Sequence, residues 1–338
     1  MPINTNVNYQ QVLSMALEER SSSWIDLVSD SIPFFDVLRR KGLWQPYSGP
    51  RIRQTLLISL PDIQWYGDYD FLENPPEDRF NDAYFTPKMC AVPISLSMQE
   101  ILNNSGSNQL IDVLDAYMEV AEKGLAQGLD AALYGDGTGA GGKIIGGLGV
   151  ALPIVATSGI YGGIDRAAVP IWQPASFNYT TDFPTIGNVV NSTTVRSIFN
   201  AVYNDTVRGT DYPDLLLTSH QHWDAFDASL VAHQRITNTD GVGRLGFTSM
   251  RYLGFMGGKG VEIVHMGGIG SNFPDNTTFG INTDTFRLRY NPDRNFDKLF
   301  PGDGQRPINQ DAIAQFIGWM GELTNVDPST SFRLHGGS

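Results

Sequence analysis

Residues 107 to 134, SNQLIDVLDAYMEVAEKGLAQGLDAALY, set the first constraint on the fold. Leu110, Ile111, Leu114, Met118, Ala121, Leu125, Leu129 and Ala132 recur at three- and four-residue spacing. Asp112, Asp115, Glu119, Glu122 and Lys123 take the opposite side. This is the period of an amphipathic helix. Ser107 suits an N-cap and Gly135 a C-terminal stop. At 1.5 Å per residue such a helix runs roughly 40 Å, long for a globular domain.

The segment after the helix raises a nucleotide-binding possibility. In YGDGTGAGGKI, Gly137, Gly142 and Lys143 match part of a phosphate-binding loop, but the hydroxyl position is occupied by Ile144. Such a loop must also open a helix, so that the positive helix end faces the anion. Here the glycines leave a helix C-terminus, so they read as a flexible turn.

The composition excludes several functions. The 338 residues are 41% hydrophobic, enough for a large core. Length alone suggests two domains, or one with a large insertion. The net charge of −13 opposes a surface that grips nucleic acid through its phosphates. Cys90 is the single cysteine, which rules out an intrachain disulfide framework and a cysteine zinc site. It shares a face with Val92, Ile94 and Leu96 and reads as a small apolar residue. No apolar run approaches the ~20 residues of a membrane span. MPINTNVNYQQ lacks the basic and apolar parts of a signal peptide, so synthesis in a reducing cytoplasm is expected.

The chemistry-bearing residues do not assemble into a site. His220 and His222 form an H-x-H pair at a helix start, where i and i+2 point apart. His233 and His265 read as isolated. The Asn191–Thr193 glycosylation pattern has no secretory context. No catalytic residue, cofactor-binding residue or metal ligand is assigned, and no enzyme activity or cofactor is expected.

The remaining elements give a mixed α+β class. Helical signals run over residues 8–41, where a second short helix begins near Pro33 and ends in Arg39, Arg40 and Lys41 before Gly42. RIRQTLLISL alternates through Ile52, Leu56, Ile58 and Leu60, and AYFTPKMCAVPISLSM through Val92, Ile94, Leu96 and Met98. The segment between them is rich in aromatic, acidic and turn residues. Residues 43–98 therefore read as a protruding hairpin arm, whose Pro87 and Pro93 demand an edge or bent strand. Trp65, Tyr66, Tyr69, Phe71, Phe80 and Tyr84 are candidate contacts to a partner surface. Further on, residues 187–208 read as a helix with Val195, Ile198, Phe199 and Val202 on one stripe. DYPDLLLTS reads as a buried strand and HQHWDAFDASLVAHQRI as the next helix. Strands are expected through SMRYLGFM, GVEIVHM, TTFGINTDTFRLRY, AIAQFIGWMGELTN and SFRLHG.

This order of elements resembles the major capsid proteins of tailed bacteriophages. The matching pieces are GDGTG closing the long helix, IIGGLGVAL, YGGIDRAAVPIW, TVRSIFNAVYNDTVRG, YPDLLLTS and AQFIGWMGELTNVDPSTSFRLHG. Together with the helical and hairpin signals that precede them, the ordered set runs from about residue 8 to residue 336. The resemblance implies the Hong Kong 97-type fold. It implies an N-arm over 1–42, an extended loop over 43–98 that reaches over a neighbouring subunit, and a spine helix at 107–134. It also implies a peripheral domain over 99–159 and 291–338, with the C-terminal strands returning to its sheet, and an axial domain over 160–290.

In function, the resemblance implies a non-catalytic subunit that self-assembles, through pentamers and hexamers, into an icosahedral head shell around double-stranded DNA. That DNA would be touched only non-specifically, with no membrane involved. Assembly would occur in the host bacterial cytoplasm and the protein would reside in the virion. A separate scaffold protein is expected, because the N-arm begins almost at Met1; a portal and a decoration protein are further partner classes. Some relatives cross-link their shells through an extended-loop lysine. Residues 43–87 hold no lysine, and Lys88 sits at the base, so no covalent chainmail is expected. Two alternatives are an encapsulin-type nanocompartment shell holding a cargo enzyme and, in another class, an α/β phosphate-binding enzyme.

Overall fold

Two hydrophobic faces, one helical and one on a sheet, organise the computed structural model. It describes residues 32–57, 63–72, 79–99, 107–230, 249–252, 260–266, 271–299 and 311–336. The helix expected before residue 32, and Ile58 and Leu60 of the arm, lie outside these residues, as does His233.

Helix α1 (Pro33–Arg40) starts on proline and buries Phe34, Phe35, Val37 and Leu38. Its end is fixed by Lys41, whose ammonium contacts Asp214 and donates to Thr283 Oγ1 at 2.6 Å. β1 (Trp44–Pro46), β2 (Ile52–Leu57), β3 (Phe80–Phe85) and β4 (Lys88–Ser97) follow. α2 (Ser107–Tyr134) has the predicted bounds. It buries Met118, Ala121, Leu125, Leu129 and Leu133. Glu122, expected on the solvent side, is buried as well: it neighbours Ala121 on the broad apolar face.

α2 packs along β4, the edge of a four-stranded sheet ordered β1-β12-β13-β4, where β12 is Phe286–Lys298 and β13 is Ala312–Asn325. The edge position tolerates Pro93, which stands opposite Phe316. After α2 the chain turns sharply. A Cβ on Gly147 would stand 2.3 Å from the Leu133 carbonyl oxygen, so only glycine allows the fold-back. The fold-back leads into α3 (Leu148–Ala151), and β5 (Ile160–Tyr161) and β6 (Ile164–Asp165) then form a minimal hairpin.

A six-stranded sheet forms the second unit, in the order β7-β14-β11-β8-β10-β9. These strands are β7 (Ala175–Asn178), β8 (Leu215–Thr218), β9 (Ser249–Tyr252), β10 (Val261–His265), β11 (Thr277–Ile281) and β14 (Phe332–His335). One face carries α4 (Val195–Thr206) and α5 (His220–Ser229) on a cluster that includes Leu216, Ile263 and Phe332. The other face joins the main core through Leu215, Leu217 and Val264. Coverage on both faces explains why LLLT is apolar without alternation. Val195, Ile198, Phe199 and Val202 are buried on the α4 stripe, as their spacing predicts.

Two expectations need correction. The arm does not extend to residue 98: β3 pairs with β2, but β4 leaves the hairpin and pairs with β13. Its alternation serves a different sheet, and the switch falls at Thr86 and Pro87, where Pro87 supplies no ladder donor. The C-terminal strands also part company. β13 lies in the sheet under α2, but β14 pairs with β7 and β11 in the six-stranded sheet. The Asp327–Ser331 turn makes the switch. There Asp327 Oδ1 accepts from the Ser329 N–H at 3.0 Å.

Candidate functional site

The arm is built as a ladder with two unlike ends. Register runs from Ile52 opposite Phe85 to Leu57 opposite Phe80. Ile52, Gln54 and Leu56 face inward on β2, as do Ala83 and Phe85 on β3. On the outer face Arg53 meets Asp82 at 2.8 Å, and Thr55 Oγ1 donates to Asp82 Oδ1 at 2.8 Å. The hydrogen bond from Arg53, then that from Thr55, holds the Asp82 carboxyl below the usual carboxylate range.

The root is fixed by backbone and aromatic contacts. In YGGID the two glycines take left-handed conformations, Gly162 with φ 61° and Gly163 with φ 79°. Gly162 accepts the Tyr84 N–H at 2.8 Å, and a Cβ there would stand 2.9 Å from Ala83 Cβ. Phe85 meets Tyr161 edge-on at 5.0 Å, and Tyr161 stacks on Trp172 at 5.5 Å. Trp172 Nε1 donates to the Tyr161 carbonyl at 2.9 Å. Gln54 Nε2 donates to Thr324 Oγ1 at 2.9 Å inside the protein, tying β2 to β13.

Arg166 completes this mount. It is fully buried, and its Nη2 donates to the carbonyls of Val150 at 2.5 Å and Ala151 at 3.2 Å. These are terminal carbonyls of α3, which attract a cation. The guanidinium also sits 5.0 Å from the Tyr161 ring centroid. Burial lowers the Arg166 pKa.

At the opposite end, large apolar side chains stand in solvent. Trp65 is 91% exposed, Tyr69 97% and Phe71 99%, and Tyr66 is exposed beside them. Ile63 and Leu72 extend the patch, which aromatic counting alone misses. The backbone there is ordered by Gly67 and Asp70: the Gly67 N–H donates to Asp70 Oδ2 at 2.7 Å, and Asp70 N–H to the Gly67 carbonyl at 3.3 Å. Phe80 and Tyr84 are exposed lower on the arm, so the six candidates share one projection without forming one cluster.

The other candidates separate. His222 is buried, with Nδ1 2.7 Å from Thr278 Oγ1, and burial lowers its pKa to about 4. His220 points elsewhere, to Asp224 at 3.2 Å and His265 at 3.4 Å, so His265 is not isolated. Burial pushes the Cys90 thiol up to about 11, which disfavours a thiolate. Lys88 Nζ donates to the Gly142 carbonyl at 2.7 Å. Glu322, which sequence reasoning missed, lies buried in β13. A carboxylate between Gly321 and Leu323 in an apolar strand was its signal.

Neither a family model nor a curated protein matches the chain. Solved structures do. A chain of the cyanophage A-1(L) capsid asymmetric unit superposes with a TM-score of 0.62 at 16% identity, over 90% of this chain and 92% of that one. The chain has the Hong Kong 97-type capsid fold. A structure from Mycobacterium phage Bobi aligns with a TM-score of 0.50 at 13% identity, covering 88% of this chain and 90% of that one. The capsid of a native GTA particle aligns at 0.52 and 11%, over 89% and 90%.

Proposed function

We propose that this protein is a phage major capsid protein, a non-catalytic subunit that assembles with its own copies into an icosahedral shell around double-stranded DNA. The observation that carries the reading is the arm tip, where Trp65, Tyr69 and Phe71 are almost wholly in water on an ordered turn. Apolar surface presented in this way favours association. Many copies of one modest contact suffice, because each subunit engages several neighbours at once.

Within that reading, Trp65, Tyr66, Tyr69, Phe71, Phe80 and Tyr84 are the inter-subunit contacts. Residues 1–42 are the N-arm. The extended loop is shortened to the β2–β3 hairpin, and the peripheral domain is built on α2 and the four-stranded sheet. The axial domain contains the six-stranded sheet and takes β14. A separate scaffold, a portal and a decoration protein are the expected partners. The virion is the final location, after assembly in the host cytoplasm.

Electron microscopy of the purified full chain tests this. Closed or partial icosahedral shells, pentamers or hexamers are expected, and a monomer at every salt and protein concentration would refute it. Shells without an inter-subunit cross-link are expected to run as monomers on denaturing gels, since residues 43–87 hold no lysine and Lys88 is engaged with Gly142. A ladder of higher bands contradicts that expectation.

A further inference from the structure

The root of the arm contains one buried acid whose position ties several elements together. Glu322 is 5% exposed. Its Oε1 accepts the Gly146 N–H at 2.6 Å, across 176 residues of sequence. Its Oε2 has no hydrogen-bond partner among the described residues. The side chain lines a cleft of about 280 Å³ together with Tyr84, Lys88, Asp136, Ile144 and Gly146. Gly146 leads into α3, whose carbonyls Arg166 holds, and Arg166 follows the β5–β6 turn that accepts the Tyr84 N–H. A continuous set of contacts therefore runs from Glu322 to the arm.

We propose that Glu322 is a proton-operated latch on this mount. With the carboxyl protonated, the glycine turn after α2 and the arm root stay seated on β13. When the proton leaves to solvent through the cleft, the carboxylate withdraws from its buried position and releases Gly146, loosening the arm root.

The surroundings set the direction. Burial raises the Glu322 pKa to about 8, while the Gly146 N–H and the Lys88 charge oppose the rise. Arg289 stands opposite Glu322 in the β12–β13 register. Tyr161 is electrostatically coupled to Glu322 and to Arg166, and Asp136 and Tyr84 share the cleft. A carboxyl raised in the closed state favours closure fully below its ordinary value of about 4.5, and that preference is lost as pH rises to about 8. The latch is a property of the single subunit and does not depend on shell formation.

Hydrogen–deuterium exchange of the full-length chain tests it, read on peptides containing Gly146 and Tyr84 and corrected for the intrinsic pH dependence of exchange. Opening is expected to rise roughly tenfold per pH unit between about pH 5 and 8 and then level off. Peptides from α4 stay flat. Glu322→Gln is expected to abolish the slope while retaining the Gly146 bond. Lys88→Met, which leaves Glu322 in place, is expected to increase opening several-fold above pH 8. A flat wild-type profile, an equal slope in Glu322→Gln, or unchanged opening in Lys88→Met overturns the latch.

Discussion

The two ends of the arm carry similar side chains in opposite circumstances. At the root, Phe85 packs on Tyr161 and lies buried, with Gln54 and Gly162 fixing the backbone beside it. At the tip, Phe71 and Tyr69 are almost wholly exposed, and the turn is held by Asp70 rather than by packing. Aromatic content is therefore not what distinguishes core from interface in this chain. The difference is what surrounds it. Alternating inward residues bury the root, whereas acidic and turn residues leave the tip rings without a local cover.

The comparison can be broken most severely at the tip. Replacing Trp65, Tyr66 and Phe71 together with serine is expected to abolish shell assembly, since interface hot spots are enriched in aromatic residues and cost about 2 kcal/mol or more on truncation. The stability of the unassembled subunit is expected to change by less than about 0.5 kcal/mol, as for other exposed positions. Normal particle yield with unchanged heat resistance contradicts this.

The root is expected to behave in the opposite way. Phe85→Ala removes a buried ring and is expected to cost about 3–5 kcal/mol of subunit stability, read by chemical denaturation. A loss confined to assembly, with normal subunit stability, would mean that the root is not part of the core. The smallest effect belongs to the outer face between the ends. Asp82→Asn removes the charge that pairs with Arg53 there while keeping an oxygen to accept from Thr55, both in solvent. It is expected to shift melting slightly at low salt and not at high salt. A large, salt-independent loss would show that this face is structurally committed.

How much of this was legible in the sequence differs by element. The bounds of the long helix were legible, because Met118, Leu125 and Leu129 repeat with one period against one surface, but the burial of Glu122 was not. α4 was legible for the same reason. The arm was only partly legible. Alternation continues through Val92, Ile94 and Leu96 after the chain has left the hairpin, and a period of two does not say which strand it pairs with. The β13–β14 separation was hidden similarly, since both strands are apolar and only the Asp327 turn divides them. The partners of Arg166 and Glu322 were not legible: Glu322 stands out as a carboxylate in an apolar strand, but both side chains bond to backbone groups, which have no sequence signature. Glu322 reaches Gly146 across 176 residues of sequence.

The central claim is that the tip rings are bare in one subunit and covered by another copy in the assembly. Hydroxyl-radical footprinting of Trp65, Tyr69 and Phe71, in the unassembled subunit and in purified particles, measures this directly. Heavy labelling of all three in the subunit and strong protection in the particle are predicted. Protection already complete in the subunit, or equal labelling in both states, would contradict the account.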